Sequence, residues 1–203
     1  IKRMSDDLIA KRLESSLSNF SNLSERAQKL EEVENIFNEI DHEGLSKIMT
    51  NFYNSFRDLA NQPENETIRS VVRDNAQLIV KDFHRINSSL RGVEGSIDDK
   101  IRASVLDINF NLKNISDLNK RIANLEVTGG ETGDLRDQRD LALRSLAGSL
   151  EISTYTDDEG HYNVQVAGVG TLVTGGIYQE LMAATSNRDD STHDTASSVE
   201  IFL

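Results

Sequence analysis

SIDDKIRASVLDINFNLKNISDLNKRIANLE, Ser96 to Glu126, places apolar residues at Ile97, Ile101, Val105, Ile108, Leu112, Ile115, Leu118, Ile122 and Leu125. Eight steps cover 28 residues, a mean of 3.5, which is the period of a coiled-coil seam rather than the 3.6 of a straight helix. The three-and-four spacing extends backwards through Ile68, Val72, Ala76, Ile79, Phe83, Ile86, Leu90 and Val93 without a proline. Thr67 to Leu125 is therefore predicted as one nearly continuous helix, roughly 88 Å long at about 1.5 Å per residue. Gly92 and Gly95 are its weak points, each about 1 kcal/mol less favourable than Ala inside a helix.

A seam of that length needs a partner. From about Met4 to Ile40 the residues Leu13, Leu17, Phe20, Leu23, Ala27, Leu30, Val33, Phe37 and Ile40 mark one face of a second long helix. Asp41 to Gly44 carries a glycine stop signal, and Leu45, Ile48, Phe52, Phe56 and Leu59 mark a shorter helix that ends at the Pro63 loop. The Met4 to Ile40 helix is expected to cover much of the seam, giving an antiparallel helical bundle. A seam shared between chains is the alternative. The second long helix nearby favours the intramolecular reading, with Asn109, Asn111, Asn114 and Asn119 flanking it as hydrogen-bonding groups.

After Leu150 the pattern alternates. Ile152, Thr154 and Thr156, then DDEG, then Tyr162, Val164 and Val166 predict a hairpin, and TLVT and IYQELM two further strands. TSNRDDSTHDTASS is polar and is predicted as a loop, and SVEIFL opens another apolar segment. The fold class is mainly α with an appended β portion: an elongated helical rod over 1–149, then the start of a β-rich outer domain over 150–203, with the boundary near Ser149. The missing initiator Met and the end within a predicted strand suggest a piece cut from a longer chain.

Composition narrows the function. The 203 residues carry 34 acidic and 22 basic side chains, a net charge of -12, so the surface repels nucleic acid and anionic membranes. Without cysteine there are no disulfides, thiolate metal sites or cysteine nucleophiles. No apolar run approaches the roughly 20 residues that span a bilayer. His42, His84, His161 and His193 lie far apart, none at metal-ligand spacing. GVGTLVTGG lacks the Lys of a phosphate loop and is predicted to supply a turn between strands.

The one cluster that resembles chemistry is GETGDLRDQRDLALRSLAG, Gly130 to Gly148, with Asp134, Asp137 and Asp140 three residues apart among Arg136, Arg139 and Arg144. Asp134 follows Gly133 before an apolar-periodic run and is predicted as the N-cap, with Asp137 at N3. Both would lie at the positive end of the helix dipole. Arg136, Asp140 and Arg144 are spaced to pair along one polar stripe, opposite Leu135, Leu143, Leu146 and Leu150. Arg139 projects toward the apolar face and is expected to pair with a carboxylate on a neighbouring helix. The cluster is predicted to be structural, with no catalytic residue, cofactor or metal; a metal-dependent hydrolase using the three aspartates is the weakest alternative.

LSKIMTNFYNSFRDLANQPENETIRSVVRDNAQLIV, SVLDINFNLKNISDLNKRIANLE, GDLRDQRDLALRSLA and AGVGTLVTGG, in that order, resemble the flagellar hook-associated protein 1 family, the hook-filament junction proteins. The most specific part is Leu135, Asp137, Gln138, Arg139 and Asp140, read as L-x-D-Q-R-D. The resemblance covers roughly Met4 to Gly176. It implies an exported, extracellular structural protein of the bacterial flagellum without enzymatic activity, assembled as a ring between the hook protein and the next junction protein. Terminal helices from both chain ends, which coil together in the family, would be absent here, and the isolated chain would be monomeric. An intracellular coiled-coil adaptor dimerising through Ile97 to Leu125 is the alternative.

Overall fold

The computed structural model describes residues 7–37, 44–157, 161–166, 168–187 and 197–202. The chain is mostly helical, with one long helix, and ends in short antiparallel strands. Helix α1 spans Asp7–Phe37, α2 Leu45–Asn61, α3 Glu66–Val127 and α4 Gly133–Ala147. Met4, Ile40, Asp41, His42, Glu43 and His193 lie outside the described residues.

Helix α3 runs unbroken through Gly92 and Gly95, as the spacing predicts. Nothing lies within 4 Å of a Cβ placed on either glycine, so packing does not demand glycine there. The helix starts where Asn65 Oδ1 accepts from the backbone N–H groups of Thr67 (3.0 Å) and Ile68 (3.4 Å), satisfying donors that have no intrahelical partner. Gly44 proves to be the N-cap of α2, with extended backbone (φ -62, ψ 160), rather than the end of the preceding helix.

Two compact units divide the chain: Arg26–Ile97 forms one, and Ile1–Glu25 with Asp98–Leu203 forms the other. This differs from the boundary expected near Ser149. In the Arg26–Ile97 unit, Ile48 and Ser55 of α2 are buried along with Asp82 and Ile86 of α3. The end of α1 runs antiparallel to α3 there, with Lys29 Nζ donating to Ser96 Oγ (3.0 Å) and Arg85 Nη1 to the Ile36 carbonyl (3.3 Å). Leu30 and Phe37 nevertheless remain exposed.

In the second unit, β1 (Ile152–Thr156), β2 (Tyr162–Val166), β3 (Gly170–Thr174) and β4 (Ile177–Tyr178) form an antiparallel sheet in that order. The predicted hairpin pairs Ile152 with Val166 and Thr156 with Tyr162. The Asp157 N–H donates to the His161 carbonyl at its neck, and residues 158–160 of the DDEG turn lie outside the described residues. IYQELM is not one strand. Pairing stops at Tyr178, Leu181 turns into the core, and β5 begins afresh at Met182. Strands β5 (Met182–Asn187) and β6 (Ser197–Phe202) pair antiparallel, so the ends of the predicted polar loop are strands; residues 188–196 lie outside the described ones.

The sheet and helices share one core. Val105, Ile108, Leu112 and Ile115 of α3 meet Ala142, Leu143 and Leu146 of α4 and Val164, Val166, Leu172 and Val173 of the sheet. Leu118 and Ile122 continue the seam against Leu135. The seam is thus filled by α4 and the sheet rather than by α1, whose Leu13, Phe20 and Leu23 stay exposed in this unit. The physical reason lies in the sheet: its alternating strands have one apolar face, and full burial of each Val or Leu stabilises by about 1.5–3 kcal/mol. That face is set against α3.

Candidate functional site

The most constrained polar structure lies where α3, α4 and the β3–β4 turn meet. Ser116 and Asn119 follow Ile115 and Leu118 of the seam, so the helical period sets them at the edge of the buried stripe. Asn119 Nδ2 donates to the carbonyls of Tyr162 (2.8 Å) and Gly175 (2.7 Å), and Ser116 Oγ donates to the Gly176 carbonyl (2.6 Å). From β2, Asn163 Oδ1 accepts from the Gly175 N–H (2.8 Å). The turn needs its glycines: Gly175 has φ 55, and a Cβ on Gly176 would fall 2.6 Å from Lys120 Cγ.

Arg139 enters this network from α4. It is 2% exposed, its Nη1 donates to Asn119 Oδ1 (2.9 Å), and its guanidinium carbon stands 4.0 Å from the centre of the Tyr162 ring. The expected carboxylate partner is therefore an amide and an aromatic face, which the core can hold without a second buried charge. Burial lowers the Arg139 pKa, with the Asp140 carboxylate acting the other way. A guanidinium keeps its charge in proteins, so the buried side chain is held as a cation by the amide and the ring.

Farther along α3 the same edge holds the chain that follows the sheet. Asn109 grips Leu181 through both of its amide atoms, donating to the carbonyl (2.8 Å) and accepting from the N–H (2.9 Å). Arg102 Nη2 donates to Thr185 Oγ1 (2.7 Å), and Asp98 Oδ1 accepts from the Val199 N–H (3.4 Å). Asn111 instead donates to the Asp107 carbonyl (2.9 Å) and Ser145 Oγ (3.3 Å), and Asn114 is exposed.

The aspartate cluster is arranged differently from the expectation. Helix α4 begins at Gly133 with Thr132 as its N-cap, so Asp134 lies inside the first turn and Asp137 beyond the capping position. Thr132 makes no side-chain cap bond because its hydroxyl donates to Glu126 Oε1 (3.0 Å) and accepts from Arg136 Nε (3.2 Å). Arg136 pairs with Glu126, at the end of α3. Hydrogen bonding to Arg136 holds the Glu126 carboxyl below its usual pKa. Asp134, Asp137 and Gln138 are exposed, Asp140 is half-buried and Leu135 is buried. Asp134 keeps the predicted dipole position, since it is the acidic residue of the first turn.

Among the described residues, no three His, Cys, Asp or Glu side chains are grouped to hold a metal ion. His84 is exposed; the His161 N–H and Nδ1 both face Asp157, at 2.8 and 3.2 Å. No helix among the described residues is long and apolar enough to cross a membrane.

The flagellar hook-associated protein FlgK helical domain, as a family, matches residues 30–200. The chain belongs to the FlgK helical-domain family. Its curated relatives include flagellar hook-associated protein 1 of Bacillus subtilis, 30% identical over 175 residues, covering 79% of this chain and 34% of the relative. The Salmonella typhimurium protein of that name is 27% identical over 191 residues, covering 93% and 34% respectively. The chain thus spans about a third of the length of these relatives. The solved structure of the flagellar hook junction protein FlgK from Burkholderia pseudomallei superposes with a TM-score of 0.81 at 22% identity, over 94% of this chain and 32% of that one. At that identity the likeness speaks for the FlgK fold alone. The family match takes in the whole Arg139 network.

Proposed function

We propose that the polypeptide carrying this chain is a structural component of the bacterial flagellum, placed at the junction of hook and filament. The observation that carries this reading is the FlgK helical-domain match over residues 30–200. The chain contributes by packing rather than catalysis. Buried Asn119 and Ser116, for example, hold the backbone of the β3–β4 turn. Its partners would be the hook protein and the next hook-associated protein, with copies packed side by side in a ring. The place of action would be outside the cell. The adaptor reading loses support because the seam from Val105 to Ile122 is already buried within the chain.

The L-x-D-Q-R-D run serves in this reading as a structural motif: Leu135 and Arg139 face inward while Asp134, Asp137, Gln138 and Asp140 lie toward the helix surface. Deleting the gene in its own bacterium should leave hooks without filaments by electron microscopy, with motility restored by the intact gene. Normal filaments on the deletion strain would refute the assignment.

Ring formation would draw on segments outside this chain. With a net charge of -12, self-repulsion opposes association of the chain alone. It is expected to be monomeric by light scattering at micromolar concentration. A tight oligomer that persists at high salt would show that the chain itself drives assembly.

A further inference from the structure

Three polar residues of α3 stand seven residues apart, each directly after an isoleucine of the seam: Arg102 after Ile101, Asn109 after Ile108 and Ser116 after Ile115. All three hold the chain that leaves the sheet. Ser116 Oγ donates to the Gly176 carbonyl, Asn109 donates to the Leu181 carbonyl and accepts from the Leu181 N–H, and Arg102 Nη2 donates to Thr185 Oγ1. The next positions of the same heptad are Gly95 and Ala123, which carry no polar side chain. Four residues before Arg102, Asp98 Oδ1 accepts from the N–H of Val199, the cross-strand partner of Thr185. Both strands of the β5–β6 pair are thus fastened at one register position.

We propose that Arg102, Asn109 and Ser116 form a register ladder: a second, polar heptad on α3 that fixes where the outgoing chain lies along the helix. Its rungs are about 10.5 Å apart, at about 1.5 Å of rise per residue. An extended strand advances about 3.3 Å per residue, so a slip of one or two residues moves it by about 3 or 7 Å and meets no rung. A slip of three matches in length. Being odd, it turns the other face of β5 to the helix, with exposed Met182 and Ala184 inward and half-buried Ala183 outward.

Asn109 is the decisive rung, because it occupies both backbone groups of one buried residue. With its N–H and carbonyl engaged by the amide, Leu181 joins no strand, and β5 starts beside it at Met182. The break in IYQELM follows from that grip.

Amide exchange of the whole chain tests the ladder on Asn109→Ala. The amides of Leu181 and β5 should exchange about tenfold faster, the factor that one lost hydrogen bond supplies, while those of β1 to β3 keep their protection. The chain has no cysteine, so spin labels on Lys113→Cys and Ala184→Cys report the place of β5 along α3. One distance is expected with the ladder intact and a broadened distribution with Asn109→Ala. Arg102 is exposed, so Arg102→Ala tests an outer rung without opening the core: it should broaden the same distance while the Leu181 amide stays protected. A single unchanged distance in either variant overturns the ladder. Loss of protection in β1 to β3 together with β5 in Asn109→Ala overturns it too, since Asn109 would then support the core as a whole rather than the register of the outgoing chain.

Discussion

Replacing Asn119 by alanine is expected to destabilise the chain by about 3–5 kcal/mol, a large part of the roughly 5–15 kcal/mol that holds a typical domain folded. The size follows from what the amide does. It accepts from the buried Arg139 guanidinium and donates to the carbonyls of Tyr162 and Gly175. Without it a cation that is 2% exposed loses that acceptor, and among the described residues Arg139 Nε has no hydrogen-bond partner. Each buried polar group left unpaired costs about 1–3 kcal/mol. Urea unfolding of the purified chain measures the loss. Arg139→Met should cost less than Asn119→Ala, because it removes the buried charge with its demand, and combining the two should recover part of the Asn119→Ala deficit. A loss below about 1 kcal/mol for Asn119→Ala would show that the turn holds without this network.

Leu112→Ala is expected to cost about 3–5 kcal/mol. Leu112 is fully buried at the centre of the core shared by α3, α4 and the sheet. A cavity there removes contacts for all three, so the amides of α4 and of β1 to β3 should lose protection together. Separate loss, with the sheet retaining its protection while α4 opens, would favour an independent β portion after Ser149. The measurement thus bears on domain organisation as well as on stability.

The elements that the sequence predicts well are those whose signal is local. Helix α3 follows from unbroken three-and-four spacing, and the β1–β2 hairpin from alternation on both sides of a turn. The inward face of α4 likewise follows from Leu135, Leu143 and Leu146, each of which is buried. The cap of α4 was less legible. Thr132 and Asp134 are both capping residue types, and the choice rests on the Glu126 and Arg136 contacts made across the α3–α4 connection.

By itself, the sequence determined that a long apolar seam exists, that it belongs to one helix, and that the chain changes from helical to alternating order after Leu150. It also marked Arg139 as a charge on an apolar face. Only the tertiary structure decided what covers the seam and what receives the charge. Periodicity states that a face must be buried but carries no label for its partner. The sheet, which has an apolar face of its own to bury, takes the place expected for α1. Arg139 meets Asn119 and Tyr162 rather than a carboxylate because the fold brings together residues 20 and 23 positions away along the chain. That distance lies beyond any helical spacing, and a paired buried carboxylate would have added a second desolvation cost that the amide and the ring avoid.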